Sequence, residues 1–167
     1  MKTMSLIKKM HVFILAFAVL VVLNCCKNTS EKTGEALIES TIGNDADVDL
    51  EDEKIVIETK EGTFTSDTAN HSWPDEIPKS VPEFLDGKIV NISTRELGAS
   101  KNWNLLFEEV GDKALSDYKT KLKENGFKVS SITMGGTNTQ ITGENNDLIV
   151  VVMGGDGMVS LSVGIED

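Results

Sequence analysis

The rhythm of apolar positions changes along the chain. Val12 to Leu23 is an unbroken apolar run of twelve residues, VFILAFAVLVVL, with no polar stripe. Trp73 to Phe84 places apolar residues between the chain's three prolines, and reads as an extended lead-in because proline fixes φ and removes a donor. From Gly87 onward the periods of regular structure appear. Lys88 to Leu97 and Asn102 to Val110 read as strands, the second with Trp103, Leu105 and Phe107 on one face. Asp112 to Asn125 reads as a helix whose Leu115, Tyr118 and Leu122 form one stripe, with Asp112 as N-cap and Gly126 as the glycine that ends it. With 137–142 as a further candidate, three strands follow, over 127–134, 147–153 and 158–165. The last alternates strictly, and Gly154-Gly155-Asp156-Gly157 joins it to its predecessor as a hairpin.

This order predicts an α+β fold, a single helix packed on an antiparallel sheet in the order β-β-α-β-β-β. Leu148 to Met153 is apolar on both parities, so this strand is expected to be covered on both faces. The helix covers one. The other falls to the lead-in, through Trp73, Ile77 and Phe84, or to a second molecule. Trp73, Ile77, Phe84, Ile149, Val151 and Met153 are therefore the candidate packing or binding surface.

The run at Val12–Leu23 is too short to span a bilayer, which takes ~20 residues, but it suits a signal peptide. Lys2, Lys8 and Lys9 precede it and Asn24-Cys25-Cys26 follows. The end of the run resembles the lipobox of bacterial lipoproteins. That resemblance implies a lipid on one cysteine thiol and cleavage just before it. Cleavage before Cys26 leaves Cys25 next to the cut and Leu23 at the third position back; cleavage before Cys25 leaves Asn24 and Val22 there. Cys26 fits slightly better, and Cys25 remains the alternative. The rival is ordinary secretion with two free thiols.

Composition separates a third region. Lys27 to Ser72 holds twelve acids and four lysines, and Phe64 is its one aromatic residue. Such a segment is expected to stay a disordered tether, with a weak hairpin between Lys54–Lys60 and Thr63–Thr65 as its only structure. Deleting residues 30–65 should then leave the domain's stability unchanged. The expected organisation is a lipoprotein signal peptide over 1–25, an acidic disordered tether over 26–72 and a globular α+β domain over 73–167.

The formal charge of −11 argues against nucleic acid, which needs a basic footprint. Two cysteines and two histidines are too few for a disulfide framework or a His- or Cys-built metal site. No cofactor or metal is expected. The acidic run 45–53 lacks the glycine and the glutamate that a calcium loop needs at its sixth and twelfth positions. Asp67, His71 and Ser72 are close in sequence but nothing fixes them as a triad. The glycine pairs at 135–136 and 154–155 precede strands, not the helix N-terminus that a phosphate loop needs. Glu108 and Glu109 are expected on opposite faces of one strand, unable to pair as catalytic carboxylates. Lys113, Lys119, Lys121, Lys123 and Lys128 outnumber the acids around the helix and read as a solvated face, or as a dock for an anionic lipid or polymer.

The motifs W-P-x-x-I-P-x-x-V-P-x-F-x-x-G-K-I (Trp73 to Ile89) and Y-x-x-x-L-x-x-x-G-F-x-V (Tyr118 to Val129), with Gly135-Gly136 and the closing V-x-L-x-V (Val159 to Val163), resemble an uncharacterised family of bacterial lipoproteins with a small C-terminal domain. The resemblance implies an envelope lipoprotein, held on the extracytoplasmic side by its N-terminal lipid, and brings no catalytic residue. The expected function is a non-enzymatic binding or interaction module whose partner is an envelope protein or ligand. The alternative is a small cell-surface hydrolase or polymer-modifying accessory enzyme.

Overall fold

The computed structural model describes residues 46–136 and 138–165, together with positions 35 and 38. The apolar run and both candidate lipidation sites, Cys25 and Cys26, lie outside the described residues. The unit that starts at Asp45 holds nine strands and one helix, α1 (Ala114–Glu124). Five strands precede the helix: β1 (Asp47–Glu51), β2 (Lys54–Glu58), β3 (Gly62–Asp67), β4 (Lys88–Leu97) and β5 (Ser100–Glu108). Four follow it: β6 (Lys128–Thr133), β7 (Thr139–Asn145), β8 (Leu148–Gly155) and β9 (Met158–Ile165).

All nine strands form one antiparallel sheet in the order β1-β2-β3-β4-β5-β9-β8-β7-β6. Two meanders are joined at β5 and β9, where Leu105 stands opposite Leu161. The expected order β-β-α-β-β-β is overturned: β1, β2 and β3 extend the sheet from residues assigned to the tether. Their mean composition hides a period of two. Val48 and Leu50 point to one side and Asp47, Asp49 and Glu51 to the other, and each residue of β1 is paired with one of β2. The acids tolerate their side because the sheet's core stops short of it, at Ile92 on β4.

The core lies on one face, called here the inner face. Trp103, Leu105 and Phe107 of β5, Val159, Leu161 and Val163 of β9, Val150 and Val152 of β8 and Ile141 of β7 are buried there. Helix α1 packs against β6 and β7, burying Ala114, Tyr118 and Leu122. It comes close because β7 carries Gly143 beneath it: a Cβ there would lie 3.3 Å from Phe127 Cδ1 and 3.4 Å from Leu122 Cδ1. The helix ends at Gly126, whose φ of 83° favours glycine. Its N–H donates to Lys123 O and that of Phe127 to Leu122 O, closing the last turn in a Schellman motif. The N-terminus departs from expectation. Lys113, not Asp112, occupies the N-cap, and no side chain caps the helix.

The lead-in covers the part of the inner face that α1 does not reach. Its prolines open successive turns: Ile77 N–H donates to Pro74 O and Val81 N–H to Pro78 O. Ile77, Val81 and Phe84 are thereby turned into the core. Phe84 stacks obliquely on Phe107, with ring centroids 4.8 Å apart, and edge-on to Tyr118 at 5.1 Å. The lead-in and the helix therefore share one face of the sheet, contrary to the expectation that they take opposite faces. The helix packs only over β6 and β7, and the inner faces of β4, β5 and β9 need a cover of their own. Each large side chain buried there contributes ~1.5–3 kcal/mol.

Candidate binding surface

Each pair of opposite residues in the register places one row of side chains on the same face, which defines the outer face of the sheet. One row runs Ile132, Gln140, Met153, Ser160, Leu106 and Asn91, from β6 to β4. The next runs Ser130, Thr142, Val151, Ser162, Asn104 and Ser93. Among the described residues no helix packs on this face, since the only helix–strand packing is that of α1 on β6 and β7.

The outer face has two characters. Its centre is polar, with Arg95 opposite Asn102. Asn102 Nδ2 donates to Ser162 Oγ at 3.0 Å, and Asn104 Nδ2 donates to Asn102 Oδ1 at 2.7 Å. Asn91 Nδ2 donates to Ser66 Oγ at 3.0 Å. The bonds to Ser162 and Ser66 tie neighbouring strands together, the Asn104–Asn102 bond runs within β5, and all three use up amide groups that would otherwise face water. One corner is apolar. Ile132 is 65% exposed, Met134 51%, Met158 48% and Met153 43%, four of the eight large apolar side chains exposed among the described residues. Met134, Met153 and Met158 line a cleft of about 580 Å³ together with Leu106 and, at the end next to the β8–β9 turn, Asp156. Asp156 and Gly157, both at positive φ (52° and 81°), form the two-residue turn between β8 and β9 that shapes this end.

The six residues expected to form one surface are divided by the sheet. Ile77 and Phe84 are buried on the inner face, with Trp73 packed against the same core. Ile149 and Val151 are half-buried on the outer face and Met153 is exposed there. Leu106, Ile132, Met134 and Met158 complete the outer surface and were not singled out from the sequence. Their signal was available in the parity of the strands, but only the register shows that three separate segments bring them to one corner.

A second depression, of about 650 Å³, lies where the lead-in meets β4, lined by His71, Trp73, Glu83, Leu85, Lys88 and Ile89. Its basic groups are engaged. His71 Nδ1 lies 2.7 Å from Ile89 O, so that nitrogen carries the proton and donates. Lys88 Nζ donates to Glu109 Oε1 at 2.7 Å. Asp67 Oδ1 accepts from the N–H groups of Ala69 and Asn70, and Ser72 N–H donates to Asn70 Oδ1. Asp67, His71 and Ser72 are thus each tied to local backbone or amide groups, not to one another. Glu109 lies beyond the end of β5 with φ 57°, which turns it away from the strand that carries Glu108. Among the described residues no group of three or more His, Cys, Asp or Glu side chains is placed to hold a metal ion.

The lead-in is latched to the inner face by charge. Lys101 Nζ donates to Glu76 Oε2 at 2.6 Å and also pairs with Glu96. It sits 5.2 Å from the centre of the Trp103 ring, within cation–π range. The hydrogen bond from Lys101, then its charge, hold the Glu76 carboxyl below the usual carboxylate range. Hydrogen bonds to Glu76 and Glu96 raise the Lys101 amine above its ordinary value. The buried Trp103 Nε1–H makes no hydrogen bond of acceptable geometry, although it lies close enough to Glu76 to favour the anion.

No family model, curated protein or solved structure matches the chain. Among the described residues no helix is long and apolar enough to cross a membrane.

Proposed function

We propose that the protein is a bacterial envelope lipoprotein, held at the membrane by a lipid on Cys26 or Cys25, and that its sheet domain is a binding module whose outer face receives the partner. The observation that carries the reading is the asymmetry of the sheet. One face is closed by α1 and the lead-in, while the other leaves Ile132, Met134, Met153 and Met158 in water at one corner. Contiguous exposed apolar side chains mark interaction sites, and methionine adapts its shape to a partner without loss of packing. The two uncharged rows of side chains beside them suit such a role, since interface cores are depleted of charge. The membrane anchor rests on the apolar run and the paired cysteines that follow it. The hydrolase alternative gains nothing from the geometry, because Asp67, His71 and Ser72 do not converge.

The test joins both parts. Mass spectrometry of the mature N-terminus is expected to find acyl chains on one of the two cysteines. A photo-crosslinking side chain at Met153 is expected to capture a discrete species in cells, and one at Thr120, on the exposed side of α1, is not. A Val151→Asp change, on the outer face, should abolish the Met153 capture while the melting temperature of the purified protein stays within a few degrees. Unmodified cysteines would overturn the anchor. Equal capture from both sides of the sheet would overturn the binding face.

A further inference from the structure

The edge of the sheet next to the apolar corner extends the binding-module reading, on which its role rests. Among the described residues, β6 is the last strand of the order and pairs on one side only, with β7. Its residues are exposed except for Val129, which is half-buried. A bare edge presents a row of N–H and C=O groups that template another strand, and proteins usually blunt it with proline, charge or a bulge. β6 has none of these after Lys128: it reads Val-Ser-Ser-Ile-Thr and pairs with β7 in unbroken register over six residues. The terminal strand at the other end, β1, carries three acids in five residues.

The two sides of the β6 edge differ in chemistry. On the inner side α1 overhangs it, and Lys119 Nζ donates to Ser131 Oγ at 2.6 Å. Lys123, one turn further along α1, shares that flank. On the outer side Ile132 projects beside the methionine corner. A strand added to β6 would therefore set alternate side chains against lysines and the others against apolar groups. We propose that β6 is a docking edge for an extended segment that alternates acidic and apolar residues. The segment adds a tenth strand, its acids beside Lys119 and Lys123 and its apolar side chains beside Ile132 and Met134. Backbone hydrogen bonds would supply affinity and the two flanks specificity, as in other strand-addition complexes. Charge decides against β6 pairing with the β6 of a second copy. Two β6 strands paired about a twofold axis would bring both sets of lysines together on the inner side, where like charges repel.

The test uses the full-length protein in detergent micelles and a ten-residue peptide alternating Glu and Val, with a control in which the same residues are arranged in two blocks. Fluorescence anisotropy of the labelled alternating peptide is expected to show saturable binding at least tenfold tighter than the control and weakened by salt. Amide hydrogen exchange should slow at residues 129–133 and nowhere else in the sheet by a comparable factor. Lys119→Glu and Ile132→Asp should each weaken binding at least tenfold, with Ser116→Glu, away from the edge, as the neutral control. Equal binding of both peptides, or an unchanged affinity in Lys119→Glu, overturns the proposal. Protection of β6 that appears without peptide as protein concentration rises also overturns it, and assigns the edge to a second copy. If the edge fails while Met153 still crosslinks a discrete species in cells, the binding-module reading stands without it. If Met153 captures nothing, that broader reading falls on its own result.

Discussion

Tyr118 joins the helix to the lead-in through a single atom. Its hydroxyl donates to Pro82 O at 2.8 Å, and the ring is buried against Phe84. Burial pushes the phenol well above its ordinary value, so it stays neutral and a donor throughout the accessible pH range. Tyr118→Phe keeps the packing and removes the bond, leaving Pro82 O without that donor. The expected cost is about 1 kcal/mol in urea unfolding; a loss near zero would mean that water replaces the hydroxyl without penalty. Glu76 provides a pH-dependent counterpart. Its folded-state affinity for protons is lowered, so its contribution is complete above the unfolded carboxylate value near 4.5 and is lost as pH falls through the lower folded one. Lys101 works in the opposite sense: its contribution is present below the ordinary amine value near 10.5 and is lost as pH rises through the raised one. The latch therefore holds across neutral pH. Glu76→Gln should flatten the acid limb of the melting-temperature profile below pH 4.5. The effect should be small and salt-sensitive, because the Glu76 side chain is 67% exposed. An acid limb identical to that of the parent protein would show that the latch adds nothing to stability.

At the scale of elements, the helix and the strand beneath it depend on one missing side chain. Gly143 lies under Leu122 and Phe127. Alanine there places a Cβ at tight contact distance, while valine adds two methyl groups where no room remains. Gly143→Val should cost ~1–3 kcal/mol by overpacking and Gly143→Ala clearly less. Chemical denaturation of the pair separates overpacking from a loss of backbone freedom, since backbone freedom alone would make the two variants equal. Elements with one buried face were legible in the sequence. The stretch read as a strand over Lys88 to Leu97 is β4, and the strictly alternating 158–165 is β9. The apolar stripe of α1 and its glycine stop were also visible. What escaped was set by distant partners. The half-buried Ile149 and Val151 looked like evidence for a second cover, yet they are shielded by neighbouring strands on a face that no described helix covers. The alternation Asp-Val-Asp-Leu-Glu looked like a solvated acidic run because its apolar half is only two residues long, and pairing with β2 is what makes it a strand.

At the scale of the whole molecule, the sheet is wider than its core. The buried cluster takes in residues from the lead-in, β4, β5, α1, β7, β8 and β9 but none from β1, β2 or β3. These three strands are nonetheless joined to the rest along a six-residue ladder, Gly62–Asp67 against Leu97–Ile92. Two consequences follow for a chain that begins at Asn70. The core is intact, so the shortened domain should fold. The ten-residue strand β4 becomes an edge, and a long bare edge invites pairing with another copy. Removal of the ladder also strips one partner from β4, so the unfolding temperature should fall by more than the ~4–8 °C that 1 kcal/mol represents for a domain of this size. Calorimetry and sedimentation velocity on residues 70–167 against residues 46–167 read both effects together. A shortened chain that is monomeric and melts at the parent temperature would return 46–69 to the role of a tether. A lower melting temperature with concentration-dependent association would establish that the acidic segment protects the sheet, whatever its part in the proposed lipid anchoring.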